Sequence, residues 1–157
     1  MINFNNVTFV KSCPTRKEKP QVVKSEVLIV GKSNVGKSSL INALCNKKKM
    51  AFTSSNPGHT RLLNYYDIDN AFYIVDAPGY GYAKGGLDLD RLFAQMMESY
   101  FDNNNELKLV LILLDARREL SIDDQEIIDF VKEQIFYTSS INNDGFSLLK
   151  KGIEKAL

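Results

Sequence analysis

One stretch, Glu26 to Leu44, restricts the fold of this chain more than any other. It opens with a short run rich in β-branched residues, Glu26-Val27-Leu28-Ile29-Val30, that stops at Gly31, and it closes with Leu40, Ile41 and Leu44 at helical spacing. Between strand and helix stands Gly31-Lys32-Ser33-Asn34-Val35-Gly36-Lys37-Ser38, the spacing of a phosphate-binding loop. Glycines in such a loop let backbone N–H groups turn inward around a β-phosphate, Lys37 reaches the β and γ oxygens, and the Ser38 hydroxyl suits Mg²⁺. The bland alternative is a glycine-rich turn matched by chance. A preceding strand and a following helix are the context that separates the two.

The same alternation runs along the rest of the chain. "LLNYYDID" and "NAFYIVDAPG" read as two strands meeting in a hairpin turn at Asp69-Asn70. Leu89, Leu92, Phe93, Met96, Met97 and Tyr100 share one helical face, and "KLVLILLDA" is a continuous apolar run that suits a strand buried on both faces of a parallel sheet. Ser121 is placed to cap a helix that turns Ile122, Ile127, Ile128 and Val131 to a core. "QIFYTSS" predicts a last strand and "GFSLLKKGIEKAL" a closing helix. Residues 1–24 are polar, carry Pro14 and Pro20, and read as an N-terminal extension in which Val7-Thr8-Phe9-Val10 can add an edge strand. Residues 25–157 then form the nucleotide-binding domain. The expected fold is α/β, a mostly parallel sheet with helices on both faces and ligands at the carboxyl ends of its strands.

Composition narrows the function classes. At 157 residues, one domain with a real core is expected. Twenty Lys and Arg against nineteen Asp and Glu give no whole-chain positive field, so any contact with RNA must come from a local patch. Cys13 and Cys45 lack metal spacing, the start of the chain lacks a signal-peptide pattern, and no apolar run is long enough to span a membrane. A soluble, cytoplasmic monomer that works off the membrane is the expectation.

A second motif narrows the nucleotide. Asp76-Ala77-Pro78-Gly79 ends an apolar strand in the DxxG arrangement, where a carboxylate holds Mg²⁺ through water and a glycine N–H senses a γ-phosphate. A plain strand-to-turn Asp-Pro-Gly is the alternative. Between the two motifs, Thr53 to Asn64 is polar and contains Pro57 and Gly58, as a loop that closes when Thr60 meets the metal would be. His59, the one histidine, reads as a solvated loop residue rather than a general base.

"GKSNVGKSSLINAL", "TSSNPGHT", "LNYY", "DAPGYGYAK" and "LLDARRE", in this order from about Ser25 to Glu119, together resemble the EngB/YihA family of translation-factor-related GTPases. The resemblance implies a Ras-like fold and GTP hydrolysis coupled to assembly of the large ribosomal subunit, with GTP or GDP and Mg²⁺ as ligands and precursor rRNA and ribosomal proteins as partners. It implies that Gly31, Lys32, Ser33, Asn34, Val35, Gly36, Lys37, Ser38 and Ser39 form the phosphate loop and that Pro57, Gly58, His59 and Thr60 form the switch loop. Asp76, Ala77, Pro78 and Gly79 would sense metal and γ-phosphate, and Thr138, Ser139 and Ser140 would lie beside the base. Ser38, Thr60 and Asp76 become the Mg²⁺ set, and Lys37, Thr60 and Gly79 the groups at the reacting phosphate.

Two features depart from the family pattern. No Asn/Thr-Lys-x-Asp tetrapeptide, whose aspartate reads guanine, occurs anywhere in the chain. Only about twenty residues separate Arg118 from Ser139, where a further strand, helix and loops would need roughly thirty more. Either a segment is missing from this sequence, or the protein has lost its guanine reader and its "QIFYTSS" strand closes the sheet beside "KLVLILLDA". Tyr80 stands where Ras-like enzymes place a water-positioning glutamine, so intrinsic hydrolysis is expected to be slow. Asn34 is either a ligand for K⁺ that substitutes for an arginine finger or a structural loop residue. Lys47, Lys48 and Lys49 either touch RNA phosphates or are only solvated. Three readings remain: a GTPase switch for ribosome assembly, a degenerate nucleotide-binding interaction module, and an ATPase, against which the DxxG turn argues.

Overall fold

The computed structural model describes residues 1–51, 62–81, 86–134 and 146–157. In chain order the elements are β1 (Val7–Cys13), β2 (Ser25–Gly31), α1 (Lys37–Leu44), β3 (Leu63–Ile68), β4 (Phe72–Asp76), α2 (Gly86–Phe101), β5 (Leu107–Leu113), α3 (Ile122–Gln134) and α4 (Phe146–Ala156). The sheet order is β1-β3-β4-β2-β5. β2 runs parallel to both β4 and β5, which buries it from Glu26 to Gly31. The hairpin β3–β4 and the outer strand β1 pair antiparallel, so the sheet is mixed: parallel around β2 and antiparallel on the β1 side. The expected edge strand exists and is longer than "VTFV". Of the expected "QIFYTSS" strand, Gln134 instead ends α3, and residues 135–140 lie outside the described residues.

The hairpin turns where the sequence asks it to. Asp69 and Asn70 adopt φ of 54° and 55°, and the Ala71 N–H donates to the Ile68 carbonyl at 2.9 Å. Two successive left-handed residues favour short polar side chains, which is why Asp-Asn closes this turn.

Helices cover both faces. Val27, Ile29, Tyr66, Ile68, Phe72 and Ile74 pack with Ile41 and Leu44 of α1 and Leu149 and Ile153 of α4. On the other face Leu28, Val30, Tyr65, Tyr73 and Val75 meet Phe93, Met97 and Tyr100 of α2 and Ile127 and Val131 of α3. Alternation along each strand thus feeds two cores, and removing that apolar area from water stabilises the fold at about 25 cal/mol per Å². Cys13 and Cys45 are buried, unpaired thiols.

Two side chains depart from the expected faces. Leu92 is 53% exposed on α2 and Ile122 is 80% exposed on α3. Ile122 is the first residue of its helix, on a turn that only starts to meet the sheet, whereas Ile127 and Val131 are the pair that reaches it. Ser121 does cap α3: its Oγ accepts the Asp124 N–H at 3.1 Å, and Oδ2 of Asp124 accepts the Ser121 N–H at 3.0 Å. This reciprocal capping box satisfies two donors that the helix would otherwise leave open.

Candidate functional site

The loop after β2 folds back on the strand. Val35 donates its N–H to the Lys32 carbonyl at 3.0 Å, and a Cβ at Gly31 would stand 2.7 Å from Val35 Cγ1 and 3.2 Å from Leu113 Cβ. That return is open only to glycine. Asn34 takes φ of 65°, and Gly36, the residue that caps α1, takes φ of 108° with nothing crowding its missing Cβ. At Gly36 it is backbone conformation, not space, that selects glycine. α1 then begins at Lys37, which sets open N–H donors, a lysine and the Ser38 hydroxyl at one helix N-terminus. Such a constellation suits a phosphate anion.

The Asp76 motif lies directly against this loop. Past the end of β4 the chain continues alongside β2: Ala77 N–H donates to the Ile29 carbonyl at 3.1 Å, Tyr80 N–H to the Gly31 carbonyl at 3.3 Å, and Ser33 N–H to the Tyr80 carbonyl at 2.9 Å. A Cβ at Gly79 would stand 2.8 Å from both Cα and Oγ of Ser33. Gly79 is therefore the point of contact between the two motifs.

Asp76 is buried and, among the described residues, its Oδ1 has no hydrogen-bond partner. Burial pushes its carboxyl up to about 6, against the pull of Lys37 and a hydrogen bond from the Asn64 side chain. A buried, orphaned carboxylate oxygen beside Lys37 and α1 fits a hard cation bound through one or two protein oxygens, as Mg²⁺ is when phosphates and waters complete its shell. No cluster of three or more His, Cys, Asp or Glu that could hold a metal occurs among the described residues, and such a Mg²⁺ site does not require one.

The structure brings Gly31, Lys32, Ser33, Asn34, Val35, Gly36, Lys37, Ser38 and Ser39 together with Asp76, Ala77, Pro78 and Gly79. Asn34 and Ser39 are exposed, and Lys32, Ser33, Val35, Gly36, Lys37 and Ser38 are half-buried. Pro57, Gly58, His59, Thr60, Thr138, Ser139 and Ser140 lie outside the described residues. Lys47, Lys48 and Lys49 follow α1 and are exposed.

Tyr80 is buried, its ring beside Phe93 with centroids 5.7 Å apart and its hydroxyl 2.5 Å from Oδ1 of Asp124. Burial alone would raise the Asp124 carboxyl, yet the hydrogen bonds from Tyr80 and Ser121 hold it below the usual carboxylate range. The side chain after the DxxG motif thus belongs to the α2–α3 face of the core. Sequence reasoning missed Asp124 as its partner and missed Asn64 beside Asp76. The signal for Asn64 was a lone amide in an otherwise apolar strand start.

A family model described as "50S ribosome-binding GTPase" matches residues 26–142. A "Probable GTP-binding protein EngB" of Leuconostoc citreum is 44% identical over 130 residues, which is 83% of this chain and 67% of that protein. The protein of the same description from Fusobacterium nucleatum is 47% identical over 132 residues, 83% of this chain and 68% of its own. A solved structure described as a probable GTP-binding protein engB superposes with a TM-score of 0.54 at 27% identity, covering 70% of this chain and 65% of its own.

Proposed function

The chain belongs to the EngB family of GTP-binding proteins and is a GTPase, and from that premise we propose that it acts as a slow GTP-hydrolysing switch in assembly of the large ribosomal subunit. One observation carries the switch: Gly79 touches Ser33, so the segment that senses a γ-phosphate and the loop that holds the β-phosphate share one contact surface. Lys37 and the N-terminus of α1 bind the phosphates, and Thr60, Pro57, Gly58 and His59 supply the loop that closes on them. Ser38, Thr60 and Asp76 would hold Mg²⁺, which would supply positive charge to offset the negative charge that builds on the phosphates during transfer. Tyr80 does not position water, because its hydroxyl is committed to Asp124. Hydrolysis therefore relies on an activator or on a K⁺ at Asn34. Thr138, Ser139 and Ser140 line the base.

The family description names 50S ribosome binding, and on that ground we take a large-subunit precursor, with its rRNA and ribosomal proteins, as the partner and the cytoplasm as the place. Lys47, Lys48 and Lys49 suit RNA phosphates there. Titration with fluorescent GDP, GTP, ADP and ATP tests the nucleotide reading, and Lys37→Ala is expected to abolish binding while the fold survives; unchanged affinity would refute it. Co-sedimentation with 50S precursors, stronger with GTP than with GDP and weakened by replacing the three lysines with alanine, tests the partner. Hydrolysis in K⁺ against Na⁺ tests Asn34.

One observation favours a second reading, a nucleotide-binding interaction module without guanine selectivity or turnover: the sequence holds no Asn/Thr-Lys-x-Asp tetrapeptide. A buried carboxylate left unpaired by adenine is what makes such a reader selective. GDP and ADP affinities within about tenfold of each other would support the second reading, and a hundredfold preference for GDP would exclude it.

A further inference from the structure

Three polar side chains line up across three strands on the α1 face of the sheet. Asn64 of β3 stands directly opposite Asp76 of β4, and Ser12 of β1 stands directly opposite Asn64. The Ser12 hydroxyl donates to Oδ1 of Asn64 at 2.6 Å, and the Asn64 side chain hydrogen-bonds Asp76. A carboxylate only accepts, so Asn64 must turn its NH₂ to Asp76 and its oxygen to Ser12, and the serine must donate. The polarity of the row is therefore fixed from the aspartate outward. Asp76 Oδ1 remains without a partner among the described residues.

The row exists because β1 carries one extra residue. Phe9 pairs with Tyr66, but Lys11, not Val10, pairs with Tyr65. Without that bulge the ladder would bring Lys11 opposite Asn64, on the same face as Asp76. A cation there would compete for the carboxylate with any metal. With the bulge, Lys11 falls opposite Tyr65 and a neutral donor takes the place next to Asn64.

We propose that Asn64, oriented by Ser12 across the bulge in β1, is the positioning residue that fixes the Asp76 carboxylate so that its free oxygen faces the bound cation. This rests on the reading of Asp76 as a Mg²⁺-binding group. Outer partners of this kind hold ligands in one rotamer and change metal affinity by about 10–100-fold when removed. Among the described residues neither Asn64 nor Ser12 hydrogen-bonds the phosphate loop, so nucleotide binding without metal does not depend on these two side chains.

The test measures fluorescent GDP dissociation as a function of free Mg²⁺, with the EDTA-limited affinity and a Mn²⁺ titration by electron paramagnetic resonance as independent readouts. Asn64→Ala is expected to raise the Mg²⁺ midpoint and the Mn²⁺ dissociation constant by about tenfold or more, with the EDTA-limited affinity for GDP unchanged. Ser12→Ala, on the outer strand, is expected to move both in the same direction by a few fold, and Ser12→Thr, which keeps the hydroxyl, to restore them. If Asn64→Ala does not fold, the Ser12 pair decides alone. Wild-type Mg²⁺ and Mn²⁺ midpoints in Asn64→Ala, or a Ser12→Thr as impaired as Ser12→Ala, would overturn the positioning role while leaving Asp76 as a metal group. A wild-type protein whose GDP dissociation ignores Mg²⁺ would overturn the metal reading and this role with it.

Discussion

The Tyr80 hydroxyl donates to the same Asp124 carboxylate that caps α3, so one side chain ties the end of the DxxG segment to the start of a helix forty-four positions later. Removing the hydroxyl leaves that buried carboxylate with its Ser121 partner only. Tyr80→Phe is expected to cost about 1.5–3 kcal/mol, the range for a hydrogen bond to a charged group, and to lower Tm by roughly 3–12 °C. The rate of single-turnover GTP hydrolysis should stay within about twofold of wild type, because the lost group faces the core. Calorimetry and a quench-flow assay check both halves.

Asp124 also predicts a pH dependence. Its folded pKa lies below the unfolded value, so the stability it contributes is fully present above pH of about 4 and disappears as pH falls through the folded pKa. Asp124→Asn cannot titrate. Thermal melts of the two proteins should therefore differ most near neutral pH, with wild type the more stable, and converge as the solution is made acid below pH of about 4. A gap that stays constant from pH 7 to pH 3 would refute the assignment.

Replacing Asp76 by asparagine keeps the shape and removes a buried charge whose Oδ1 has no partner among the described residues. In the absence of metal and nucleotide Asp76→Asn should be more stable than wild type by about 1–3 kcal/mol. Under the same substitution Mg²⁺ should no longer slow GDP release. Urea unfolding in EDTA and stopped-flow release with and without Mg²⁺ report the two effects separately.

Gly79→Ala places a methyl group 2.8 Å from Ser33 Cα, an atom of the backbone that cannot swing aside. The phosphate loop and the sensor segment must then separate. We expect a loss of at least about tenfold in affinity for GTP, or about 1.4 kcal/mol, with a smaller loss for GDP, measured by competitive fluorescence titration. Equal losses for the two nucleotides would show that Gly79 matters to the loop alone.

Much of this site is legible in the sequence because its logic is local. Gly31, Gly36 and Lys37 fix the strand, turn and helix within about a dozen residues, and Asp69-Asn70 announces a turn through its tolerance of left-handed backbone. What could not be read is what depends on register. Ser12 meets Asn64 only because a single residue is inserted in β1, and one-residue shifts leave no periodic trace in a seven-residue strand. Tyr80 looked like a residue at the phosphates because it follows the DxxG motif, yet a strand-like bridge between Lys32 and Tyr80 turns its ring into the α2–α3 core. Ile122 matched the helical period and still faces water, since periodicity gives a face but not where along a helix the packing begins.

The extra residue in β1 has one more effect, on how molecules of this protein meet each other. β1 is the outer strand of the described sheet, and its outward row of N–H and C=O groups is a template on which a second chain can add a strand. Phe9 and Val10, both exposed, would make that addition attractive. With the spacing of the row broken between Phe9 and Lys11, an incoming regular strand can match the groups before the break or those after it, but not both. The same insertion that selects the neighbour of Asn64 thereby protects the sheet from self-association along its open side.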